Sequence, residues 1–85
     1  MMKFKELKEI LRPEERVELS IADDNGFEVG IIFNNEPISN LDKKWFVSGY
    51  FDDYMVISVY ADFLHGKTYS DSDIGLIIVI RKDGT

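Results

Sequence analysis

The sequence predicts an α+β fold: a short N-terminal helix packed on a five-stranded, mostly antiparallel sheet. Three observations carry it. Two echoing segments, Val17-Glu18-Leu19-Ser20-Ile21 and Phe27-Glu28-Val29-Gly30-Ile31, alternate apolar with polar or small residues, the period of a half-buried strand. Asp23-Asp24-Asn25-Gly26 joins them, and Asn-Gly supplies the positive φ angles of a tight hairpin turn. A helical stripe precedes the hairpin and strand-like apolar runs follow it, which is the element order of an α+β domain.

The helix is expected over Lys3 to Arg12, where Phe4, Leu7, Ile10 and Leu11 recur at helical spacing between charged residues. Pro13 ends it, because the residue before proline is driven out of the α region. Strand one is expected from Arg16 to Ala22 with Val17, Leu19 and Ile21 inward. Strand two is expected from Phe27 to Phe33 with Phe27, Val29, Ile31 and Phe33 inward, so that both sets share one face beneath the helix. Asn34-Asn35-Glu36-Pro37 ends the hairpin, and Ser39 can cap a helical turn holding Leu41. Trp45 to Phe51 reads as a third strand. Tyr54 to Ala61 reads as a fourth, central because neither of its faces is charged. Residues 62–73 form a polar connection, long for a hairpin. Ile74 to Ile80 lacks alternation, as in a strand covered on both faces or paired in a homodimer through residues 74–81. This apolar end would also allow barrel-like closure.

Eighty-five residues make one domain, 1–85, and the 45% hydrophobic content with six Phe, four Tyr and one Trp suffices for a packed core. There is no Cys, which excludes disulfides and thiolate metal sites. The charged N-terminus and the absence of a long apolar run predict a cytoplasmic protein without membrane contact.

The net charge of −6 is unevenly spread. Residues 1–12 sum to +2, residues 13–36 to −6 and the remainder to −2. That balance opposes direct binding to a phosphate backbone and favours solubility or a basic protein partner. Glu14, Glu15, Glu18, Asp23, Asp24 and Glu28 are the expected acidic face of the hairpin.

The sequence contains weak candidates for chemistry. His65 is the sole histidine, and Ser70 and Asp71 lie near it in sequence, yet nothing sets them in triad geometry. Asp71-Ser72-Asp73, Asp52-Asp53 and Asp23-Asp24-Asn25-Gly26 offer hard oxygen ligands but lack a full calcium-loop pattern, and turn chemistry explains them. Gly66-Lys67-Thr68 lacks the upstream glycine of a phosphate-binding loop. No catalytic residue, metal or cofactor is expected. Among the aromatics, Tyr50, Tyr54 and Tyr60 are the candidates for an interface.

The helix Phe4-Lys5-Glu6-Leu7-Lys8-Glu9-Ile10-Leu11, the proline turn, the strand Val17 to Ile21, the Asn-Gly hairpin, Val47 and the strand Tyr54-Met55-Val56-Ile57-Ser58-Val59 together resemble small accessory proteins of phages and prophages from low-GC Gram-positive bacteria. The resemblance spans residues 3–60 and is one of pattern; the final strand after the polar connection departs from it. It implies a small protein acting by binding, inhibitors of host defence included, and lends no active site. The expected function is accordingly non-enzymatic protein–protein binding. The rivals are a DNA-mimicking inhibitor of a host nucleic-acid enzyme and a small hydrolase or ligand-sequestering protein using residues 62–73.

Overall fold

The computed structural model of the chain describes residues 2–44, 49–64 and 74–82. The elements run α1 (Phe4–Ile10), β1 (Arg16–Ala22), β2 (Glu28–Pro37), a 3-10 turn (Ile38–Asn40), α2 (Leu41–Lys44), β3 (Met55–Phe63) and β4 (Ile74–Arg81). The strands form one open sheet in the order β2-β1-β4-β3. β1 pairs antiparallel with β2 and parallel with β4, and β3 pairs antiparallel with β4. The fold is α+β, as expected, but the sheet is mixed.

The apolar run of β4 explains its position. Ile77, Ile78, Val79 and Ile80 are all buried, because alternate side chains of a strand point to opposite faces and both faces here are covered. Ile78 and Ile80 join Phe4, Leu7, Val17, Leu19, Phe33, Ile38, Leu41 and Phe51 on the helix side. Ile77 and Val79 join Ala22, Leu64 and the partly buried Ile57 on the other. At the helix N-terminus, the Lys3 N–H donates to Glu6 Oε1 at 3.1 Å, and two buried residues, Phe4 and Leu7, press α1 onto the sheet.

Several sequence expectations are corrected. Among the described residues there are four strands, and their order supports no barrel-like closure. Within the expected third strand, Tyr50 and Phe51 lie in a turn; residues 45–48 are outside the described residues. That turn is closed by Asp52 N–H to Gly49 O at 2.9 Å and Tyr54 N–H to Phe51 O at 3.0 Å. Its aromatics serve as packing, with Phe51 meeting Tyr50 and Tyr54 edge-on. The strand expected to be central, β3, lies at an edge of the sheet; it extends to Phe63, past the point where the polar connection was expected to begin. Residues 65–73 of that connection fall outside the described residues. Ile10, expected on the helix's inner stripe, is 71% exposed because α1 ends there and its contact with the core ends at Leu7.

The inward set of β2 is also revised. Phe33 is buried, but Phe27, Val29 and Ile31 are exposed. The strand continues through Asn34–Pro37, which were expected to end the hairpin, and its ten residues oppose seven of β1. The pairing accommodates the excess through three register shifts. Each added residue is a bulge, and each bulge reverses which face the following side chains meet. Ile31 consequently sits opposite Ser20, not opposite an inward residue of β1.

Candidate protein-binding surface

The hairpin tip is built by Asp23. Its Oδ1 accepts the N–H groups of Asn25 at 2.9 Å and Phe27 at 3.0 Å, as Asp does in turns. Gly26 takes φ +88°, a conformation glycine adopts without steric cost, and its N–H reaches Asp23 O at 3.0 Å. The Arg81 guanidinium donates to Asp24 O at 3.3 Å and ties the tip to the end of β4. These contacts hold the Phe27 backbone in place while leaving the residue 71% exposed, beside Val29 at 65%. Asp24 and Glu28, close to these two residues in sequence, are also exposed.

The expected acidic face does not form one surface. Glu14 and Glu15 lie in the turn before β1, where Glu15 N–H donates to Arg12 O at 3.0 Å. Asp23 and Asp24 lie beyond the other end of β1, roughly 20 Å away at the rise of an extended strand. Glu18, midway between, is 2% exposed on the face turned away from α1. Alternation placed Glu18 on the second face correctly; the expectation failed because that face is covered too.

The tyrosines also separate. Tyr50 is exposed in the 49–54 turn and Tyr54 is half-buried against the core. Tyr60 lies on β3 opposite Ile77, on the face away from α1. Partial desolvation pushes the Tyr60 phenol above its usual range, and the carboxylates of Glu28, Asp62 and Glu18 add to the effect. The phenol is therefore neutral at physiological pH. Asp62 belongs to this acidic surrounding and was not singled out from the sequence, although its spacing of two from Tyr60 along a strand was the available signal.

A shallow groove of about 310 Å³ runs between α1 and the segment Ile38–Asp42, and its lining includes Lys8, Leu11, Asp42 and Asp52. Lys8 Nζ lies 2.6 Å from Asp52 Oδ1 and 3.3 Å from Asp42 Oδ1. Through these two ion pairs Lys8 fastens α1 to α2 and to the 49–54 turn. Lys44 Nζ pairs with Glu36 Oε2 at 2.6 Å and holds the Glu36 carboxyl below its usual range.

Among the described residues, no three His, Cys, Asp or Glu side chains converge on a metal position. No helix among them is long and apolar enough to cross a membrane. His65, Gly66-Lys67-Thr68, Ser70 and Asp71-Ser72-Asp73 lie outside the described residues. No protein-family model, curated protein or solved structure matches the chain.

Proposed function

We propose that this chain is a small acidic, non-enzymatic binding protein that acts through a protein–protein contact at the hairpin tip. The observation that carries the reading is Phe27, 71% exposed on a turn whose backbone is fixed by Asp23. An exposed aromatic on a pre-organised backbone, with Val29 beside it and carboxylates at its rim, has the composition of an interface anchor. The partner it fits is a protein with an apolar pocket edged by Lys or Arg. The pattern shared with phage accessory proteins supports a phage-derived origin.

A DNA-mimicking inhibitor would need carboxylates spaced along the hairpin like phosphates. Burial of Glu18 takes the middle carboxylate of that row off the surface, which favours the anchored tip.

The reading is tested by capturing partners from a bacterial lysate on the tagged chain and on two variants, Phe27→Ala and Asp24→Lys/Glu28→Lys. A protein retained by the native chain and lost with both variants is the expected result. An identical set of captured proteins on all three overturns the proposal.

A further inference from the structure

We propose that two copies of this chain pair edge to edge through β3, antiparallel about Tyr60, joining two four-stranded sheets into one. This surface is distinct from the hairpin tip and does not depend on it.

Among the described residues, no segment pairs with the outer edge of β3 between Ser58 and Asp62. Its start is already occupied: Lys3 bridges Met55, and the Val56 N–H donates to Met2 O at 2.9 Å. From Ser58 to Asp62 every residue is exposed, Val59 at 42% and Tyr60 at 41%. This stretch has no Pro, no Gly and one charge. Its register with β4 is unbroken from Ser58 to Phe63, so no bulge turns the edge aside. Natural sheets protect exposed edges with such bulges, with charges or with proline. An unprotected edge is a template for another strand.

The occupant follows from self-complementarity. The Met2–Lys3 segment blocks a partner strand at Val56, and β3 ends at Phe63. The exposed stretch between these limits, Ser58 to Asp62, has its midpoint at Tyr60. A two-fold axis there sets Ser58 opposite Asp62, Val59 opposite Ala61 and Tyr60 opposite its own counterpart. Asp62, the stretch's one charge, meets a hydroxyl and not a second carboxylate, so an acidic chain pairs with itself without like charges in register. The contact is isologous and closes as a dimer. β4 offers no such edge, because β1 and β3 flank it on both sides.

The chain has no cysteine, so single introduced thiols report the geometry cleanly. In the proposed pair the two residue-60 Cα atoms lie about 5 Å apart, within the span of a disulfide. Under mild oxidation Tyr60→Cys is expected to convert to a covalent dimer. Ser58→Cys is expected to stay monomeric, since identical residues two positions from the axis are roughly 13 Å apart along the strands. Ser58→Cys/Asp62→Cys retains Tyr60 and is expected to cross-link. Val29→Cys, on β2, is the control for random collision. Cross-linking confined to Tyr60→Cys and the double variant confirms pairing and register. Cross-linking at none of them, at Ser58→Cys alone, or equally at Val29→Cys overturns the proposal.

Discussion

β2 and β3 are the two outer strands of one sheet, and they treat their free edges in opposite ways. β2 pairs ten residues with seven of β1 through three register shifts. It also carries Gly30, Glu28, Glu36 and Pro37, and Asn35 at φ +50°, where Asn is tolerated better than most residues. The Arg16 guanidinium donates to Asn35 O at 2.7 Å and steadies that kink. β3 has one irregularity, between Val56 and Ser58, and runs regularly thereafter. Bulges, charge and proline make β2 a poor template for another strand, while its tip displays side chains. Regularity leaves β3 able to accept backbone pairing. In the two proposals exposed apolar residues therefore play different parts on the two edges: side-chain anchors on β2 and pairing surface on β3.

The largest expected effect tests how β2 is attached. Phe33, 3% exposed, is the one apolar side chain that β2 contributes to the fully buried core. Phe33→Ala should cost about 3–4 kcal/mol in chemical denaturation. Hydrogen exchange should show β2 amides losing protection before those of β3. Simultaneous loss across both strands would remove the distinction between them.

Two glycines sharpen the comparison next. A Cβ on Gly75, in β4 beside β3, would sit 2.5 Å from Arg16 O and 2.7 Å from Leu64 Cδ1. Gly75→Ala should destabilise by about 2 kcal/mol through overpacking. A Cβ on Gly30 meets nothing within 4 Å, so Gly30→Ala should stabilise by about 0.5 kcal/mol through chain entropy. Equal melting shifts for the two would contradict the crowding assigned to β4.

A smaller effect concerns the tip. Asp23→Ala removes the acceptor for two backbone N–H groups and should cost about 1 kcal/mol. The loss should appear as faster exchange at Asn25 and Phe27, with β3 unchanged.

The smallest effect is electrostatic. Lys44 holds the Glu36 carboxyl below its usual value. This pair's stabilisation is present above the unfolded pKa and is lost as pH falls through the lowered folded pKa. Both side chains are partly exposed, so the contribution should be about 0.5 kcal/mol. Glu36→Gln should flatten the acid limb of the stability–pH curve by that amount.

The pattern of legibility follows from what local sequence encodes. A helix within Lys3–Arg12, the strand Arg16–Ala22 and the Asn-Gly turn are readable, because periodicity and turn chemistry are local signals, whereas the apolar run of β4 is equally consistent with double cover and with self-pairing. Misreadings arose where long-range pairing decides. Alternation in Phe27-Glu28-Val29-Gly30-Ile31 is a strand signal, but bulges counted against β1 determine which side chains face the core. The uncharged run Tyr54–Ala61 reads as central by composition, yet β3, which carries most of it, lies at an edge of the sheet. Aromatic Tyr50 and Phe51 have strand propensity but lie in a turn whose backbone bonds and packing hold them. Of the candidate site, Asp23, Asp24 and Glu28 at the tip were legible. Phe27 reads as core by alternation, and the burial of Glu18 follows only from the cover over the second face.

The difference between the two edges is tested most directly by sedimentation velocity over a concentration series of three proteins: the native chain, Tyr60→Lys and Val29→Lys. Lysine at position 60 sets two like charges opposite each other across the proposed axis, whereas lysine at position 29 adds a charge to an edge already protected. The native chain and Val29→Lys should both shift from monomer to dimer as concentration rises, and Tyr60→Lys should remain a monomer. A native chain that stays monomeric throughout, or loss of association in Val29→Lys and not in Tyr60→Lys, would contradict the account.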